Sequence, residues 1–116
     1  MVDQDHNIYI NDILKCIKKI KRYVKSLDFD SFVMNEIIYD AVIRNLEIIG
    51  EASNKIPKSI QKNYDHIEWR KISGLRNILI HNYSGIDDDI ILDVIKKKLP
   101  VLEKQLKLIL KEENSY

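Results

Sequence analysis

Arg76, Asn77, His81 and Tyr83 stand within one eight-residue stretch, Arg76 to Tyr83. Arginine is always charged and offers a planar fork of donors that suits a phosphate. Histidine titrates near neutrality and can take or give a proton. Asn77 can orient the ring or a phosphate oxygen. This set suits attack of a ribose 2′-hydroxyl on its own phosphodiester, with His81 as base or acid and Arg76 stabilising the charge that develops on phosphorus. That reaction needs no metal, and no metal-ligand pattern is visible: His6, His66 and His81 are scattered, and Cys16 is the only cysteine. A plainer reading competes, in which Arg76 makes a surface ion pair and His81 caps a helix as a protonated ring. The R-x4-H spacing alone does not decide between them.

Such a set must be positioned by a helix end. Arg76 and His81 lie about 140° apart around an ideal helix, whereas Asn77 and His81, at i and i+4, share a face. The long arginine stem and the unwinding of the last turn can close the difference. If the chain is extended beyond His81, Tyr83 points the same way as His81. The apolar positions Trp69, Ile72, Leu75 and Leu79 predict a helix from about residue 67 to His81, with Asp65 and Glu68 spaced as a capping box and Gly85 as a stop beyond it.

Three further main helices are predicted. The first spans about Asp5 to Ser26, with a stripe of Ile10, Ile13, Ile17, Ile20 and Val24 opposite Lys15, Lys18, Lys19, Arg22 and Lys25. A loop with cap candidates Asp28, Asp30 and Ser31 follows. The second helix spans about Phe32 to Lys55 and ends at Ile56-Pro57. Its apolar face, including Met34, Ile37, Ile38, Ala41, Val42, Ile48, Ile49 and Ala52, is wide enough to need burial on more than one side, which implies a second subunit. Asn45 falls within that face and needs a partner. Asp40, Arg44, Glu47 and Glu51 form a narrow charged wedge, read either as an internal ion-pair ladder or as cleft residues that orient a catalytic arginine, Glu47 and Glu51 being the nearer contacts for Arg76. A short helical turn covers 57–64. The last helix starts at Asp87-Asp88-Asp89 and runs to about Lys111, with a kink at Pro100; the tail from about residue 112 is expected to fray.

The expected fold is therefore all-α, an up-and-down bundle of four main helices and one short one, in a single domain over residues 1–116. With 45% hydrophobic and 32% charged residues, and only three Gly and two Pro, the composition disfavours a turn-rich β fold. A net charge of +1 leaves polyanion binding to a local patch. The lone cysteine fits a reducing cytosol, and no signal peptide or membrane span is visible.

The segments 40–52, Trp69-Arg70 and 74–83, followed by Gly85-Ile86-Asp87, resemble the HEPN-domain ribonuclease toxins of the HepT type over nearly the whole chain. The resemblance implies a HEPN-like helical bundle that forms a homodimer, with the R-x4-H motifs of two subunits facing each other across a cleft. It implies Arg76 and His81 as catalytic residues assisted by Asn77, RNA as substrate, and no cofactor or metal. It also implies a type VII-like toxin–antitoxin pair, in which a minimal nucleotidyltransferase silences the toxin by transferring AMP to the motif tyrosine, here Tyr83. One departure is Ser84, where the family pattern has Phe. The alternative from another class is a non-catalytic helical dimer that serves as a binding scaffold for a nucleotidyltransferase. A nucleotide-binding regulatory module is a weaker third reading, since no glycine-rich phosphate loop is present.

Overall fold

A computed structural model of the chain describes residues 5–81 and 88–113, with side-chain surroundings for 7–75 and 88–113. Its elements are α1 (Asp5–Val24), α2 (Phe29–Met34), α3 (Glu36–Lys55), α4 (Lys58–Asn63), α5 (Trp69–His81), α6 (Asp88–Asp93), a π-helical turn (Val94–Lys98) and α7 (Leu99–Glu113). The all-α expectation holds: every regular element among the described residues is helical.

α3 is the central helix and packs against both α1 and α5, while α7 returns along α1. The α1 stripe is buried as expected at Ile10, Ile13, Ile17 and Ile20, and Val24 is half-buried. Val42, Leu46 and Ile49 meet it from α3, and Ile91, Leu99, Leu102, Leu106 and Ile109 close the core from the C-terminal elements. Each fully buried aliphatic side chain contributes roughly 1.5–3 kcal/mol. The lysines and the arginine opposite the α1 stripe are exposed, a solvated face.

Four boundaries differ from expectation. The predicted second helix is two helices, because Asn35 leaves the helical region (φ −90°, ψ 94°) and caps α3, its Oδ1 accepting from Ile38 N at 3.0 Å. Asp28 caps the short α2 by accepting from Ser31 N at 2.8 Å. α5 starts at Trp69, not residue 67, which takes Asp65 out of the cap position. The indole anchors that start: Trp69 is buried and its Nε1 donates to Tyr64 O at 3.0 Å. At the C-terminus, α7 continues through Glu113, and the remainder of the expected frayed tail lies outside the described residues.

Helical structure continues across Pro100, through a π-helical irregularity. Proline has no N–H, and its ring crowds the carbonyl four residues back. The chain absorbs this with a π turn immediately before Pro100, in which Leu99 N donates to Val94 O, five residues earlier. Val94 and Leu99 both stay buried, so the apolar stripe crosses the irregularity in phase. Asn45 finds its partner within its own helix, donating from Nδ2 to Ala41 O at 2.8 Å.

Burial of the α3 face is less complete than the pattern demands. Met34 is 82% and Ile37 83% exposed, both at the α2–α3 corner.

Candidate active site

α5 carries the candidate chemistry. Arg76 and Asn77 fall in its last two turns and His81 is its final residue; their side chains, and the whole of Tyr83 and Ser84, lie outside the described residues. What the structure does define is the frame that holds them.

One side of the frame is α3. Small buried residues, Gly50, Ala52 and Ser53, lie on α3, which packs against α5. Ser53 Oγ bonds Gly50 O at 2.9 Å and sits 3.2 Å from Ser73 Oγ, which joins the two helices directly. Because Ser53 is fully buried, this hydroxyl pair sets the relative position of α3 and α5 one turn before Arg76.

The charged wedge on α3 is arranged around Arg44. Its Nη1 lies 3.6 Å from Glu47 Oε1 and 3.7 Å from Glu51 Oε1. Arg44 reaches both, at i+3 and i+7, the first of them a pair of the expected ion-pair ladder. Arg44 is itself well exposed, so these long pairs are screened and weak. Glu47 and Glu51 are partly exposed and remain the acidic groups of this face.

The other side of the frame begins at Asp88, where the chain re-enters a helix. Asp88 Oδ1 accepts a 2.6 Å hydrogen bond from Tyr39 Oη, and the Tyr39 ring packs on Phe32 at 5.3 Å between centroids. Burial, followed by the bond to Asp88, raises the Tyr39 hydroxyl pKa well above its ordinary value, so it stays a donor. Asp88, five positions beyond Tyr83 in the sequence, is thus tied to α3. Sequence reasoning did not single out Tyr39 or Ser53; both depend on partners far along the chain, and no local spacing signals them.

Two hollows flank α5. One, of about 750 Å³, lies between α5 and the bend into α7 and is lined largely by apolar residues such as Leu75, Ile90, Val94 and Leu102. The other, of about 800 Å³, is more polar and lies between α3, α4 and the start of α5. Among the described residues, no three His, Cys, Asp or Glu side chains gather where they could hold a metal ion. No described helix is long and apolar enough to cross a membrane.

A family model described as "Ribonuclease HepT-like" matches residues 13–109. A "Putative RNase" of Methanocaldococcus jannaschii is 38% identical over 112 residues, which is 97% of this chain and 97% of that protein. A "Probable ribonuclease HepT" of Thermococcus cleftensis is 35% identical over 100 residues, 86% of this chain and 91% of that one. A "Gamma-glutamylcyclotransferase and putative RNase" of M. jannaschii is 38% identical over 109 residues; this chain spans about half of it, 49%. No solved structure matches the chain. An all-helical frame built around the end of α5, a family match across nearly the whole bundle and relatives of the same length lead to one assignment: the chain belongs to the HepT-like ribonuclease family.

Proposed function

We propose that the chain is a metal-independent endoribonuclease and the toxin of a type VII-like toxin–antitoxin pair. The observation that carries this reading is the Arg76–His81 pair at the end of α5 in a chain whose residues 13–109 match the HepT-like ribonuclease family. In the reaction, the ribose 2′-oxygen attacks the adjacent phosphorus, forming a cyclic phosphate, and the P–O5′ bond breaks. His81 takes the 2′-proton or supplies one to the departing 5′-oxygen; in a dimer, the imidazoles of two subunits can divide these roles. Arg76 neutralises the charge on the phosphoryl oxygens, and Asn77 orients the group being cut. Glu47 and Glu51 support the arginine from α3.

The working unit is a homodimer whose two motifs face a common cleft. Met34 and Ile37, exposed in the isolated chain, supply its apolar contact. The corner they form is joined through Tyr39 to Asp88, beside the segment that holds Tyr83. A partner nucleotidyltransferase transfers AMP from ATP to the Tyr83 hydroxyl, releasing pyrophosphate. The added nucleotide places bulk and negative charge next to Arg76 and His81 and keeps RNA out.

Purified protein is expected to cut single-stranded RNA in the presence of a chelator and to leave cyclic phosphate ends. His81→Ala and Arg76→Ala should each lower the rate by at least 100-fold, on the scale of one lost acid–base or charge-stabilising group, with an unchanged circular dichroism spectrum. Cleavage at the wild-type rate by either variant removes that residue from the mechanism. A wild-type dimer that binds the nucleotidyltransferase but cuts no RNA would favour the scaffold alternative.

A further inference from the structure

Arg70 precedes His81 by eleven positions on α5, which at about 100° per residue brings them within about 20° of each other around the helix. Gly74 and Asn77 fall on the same strip. One end of the strip is His81, with Arg76 about 120° around the helix from Arg70; the other end opens into the polar hollow of about 800 Å³.

The walls of that hollow are unbalanced in charge. Lys55, Lys58 and Arg70 line it and are exposed, and the one carboxylate among its lining residues, Glu51, lies 3.7 Å from Arg44. Lys55 Nζ stands 5.9 Å from the centroid of the Tyr9 ring. Among the described residues, neither Lys58 nor Arg70 has a carboxylate in ion-pair range. The hollow on the opposite side of α5 differs: Lys71 meets Glu68 at 3.0 Å, Lys98 meets Glu68 at 3.7 Å, and Lys97 meets Asp93 at 3.6 Å. Three of the four Lys and Arg side chains in its lining have a carboxylate partner, and the fourth is Arg70, which borders both hollows. Unpaired cations around a concave surface attract an anion.

Gly74 connects this charge to the chemistry. It borders both hollows, and among the described residues a Cβ added there would meet nothing within 4 Å. Glycine inside a helix costs about 1 kcal/mol relative to alanine, and Gly74 has no positive φ to justify it. No described contact within the monomer requires the missing side chain, and the surface at Gly74 is left open between the two hollows.

We infer that the hollow between α3, α4 and α5 is a second phosphate subsite for single-stranded RNA: Lys58 and Arg70 grip the strand's backbone, and Gly74 lets it pass to the Arg76–His81 pair. This rests on the ribonuclease reading. The grip is electrostatic and independent of sequence, because the ring at this hollow, Trp69, is buried and bonded and offers no stacking face. About 16 Å of helix axis separates Arg70 from His81. A dinucleotide, with a single step of roughly 3.4 Å when stacked, is too short to occupy both ends.

The test uses Lys58→Ala/Arg70→Ala, two exposed positions whose loss leaves the core intact. In a His81→Ala background that prevents cutting, binding of a fluorescent 12-nucleotide RNA is followed by anisotropy across a salt series. The double variant should bind about tenfold more weakly, and its slope of log affinity against log salt should fall by about 1.4, the equivalent of two phosphates. With His81 restored, KM for the 12-mer should rise with kcat unchanged, and cleavage of a dinucleotide should not change. Equal affinity and slope, or no RNA binding by the parent protein, overturns the subsite. If the 12-mer is nevertheless cut with unaltered KM, the ribonuclease reading survives alone. If the parent binds RNA through Lys58 and Arg70 but never cuts it, the ribonuclease reading fails and the subsite stands. A double variant that keeps RNA affinity but loses the partner nucleotidyltransferase marks the hollow as a protein-docking surface and overturns the proposal.

Discussion

Two tyrosine hydroxyls tie distant parts of the chain to carboxylates, Tyr39 to Asp88 and Tyr64 to Glu113. Tyr64 closes the bundle end at which α4 meets the last turn of α7, with Oη 2.9 Å from Glu113 Oε2. Burial, then the hydrogen bond and the charge of Glu113, pushes its pKa from the ordinary 10.0 up to about 12. The folded state therefore holds this proton more tightly than the unfolded chain does. Its stabilising contribution is fully present below pH 10 and is lost as pH rises from 10 toward 12. Urea unfolding across that window should show stability falling with pH, and Tyr64→Phe should make the fall shallower without removing it, because Tyr39 is shifted in the same direction. An identical slope in the variant would mean that the Tyr64–Glu113 bond is not maintained in solution. Neither pair is legible in the sequence, since each joins residues 49 positions apart.

Helices make the next scale, and Asn35 shows how local chemistry can be hidden by a longer pattern. The apolar positions Phe32, Met34, Ile37 and Ile38 run past Asn35 with helical spacing, so periodicity alone reads one continuous helix. The side chain decides otherwise by capping α3. Asn35→Ala leaves the donors of the first turn of α3 unsatisfied and should lower stability by about 1 kcal/mol, measured by urea unfolding; Asn35→Asp, which retains the acceptor, should restore most of it. An alanine variant as stable as the parent would show that α2 and α3 can merge without penalty. The same limit of sequence reading applies at Pro100. That the stripe continues past the proline follows from Leu102, Leu106 and Ile109, but the π turn at Val94–Lys98 does not, because it is selected by the need to keep both Val94 and Leu99 in the core. By contrast, the end of α1 and the end of α3 at Ile56-Pro57 are readable to within about two residues, since one is marked by the close of an apolar stripe and the other by a proline. The candidate site stands in the sequence as residue types near one helix end; the contacts of Ser53 and Tyr39 and the grouping of cations on α4 and α5 do not, because only the packing of helices brings them together.

The whole molecule has a surface that its own chain does not cover. Met34 and Ile37 stand 82% and 83% exposed on either side of the Asn35 cap, while Ile38, Ala41 and Ile48 on the same helix are half-buried. A twofold dimer buries each such residue twice. At roughly 1.5–3 kcal/mol per large apolar side chain, Met34 and Ile37 from two subunits supply on the order of 6–12 kcal/mol, against which the cost of association must be set. Location matters as much as magnitude. Tyr39, one turn along α3, is bonded to Asp88, so a dimer formed at this corner brings together the starts of the two α6 helices, five positions beyond Tyr83 in sequence. Met34→Asp/Ile37→Asp would place four carboxylates against one another across the axis. Sedimentation should then show a shift from dimer to monomer, with helicity unchanged because both side chains are solvent-exposed in the single subunit. RNA cleavage should fall along with the dimer fraction, although Arg76 and His81 are intact, if each cleft needs two subunits. A double variant that still sediments as a dimer puts the interface elsewhere, and a monomer that cuts at full rate means that one Arg76–His81 pair is sufficient.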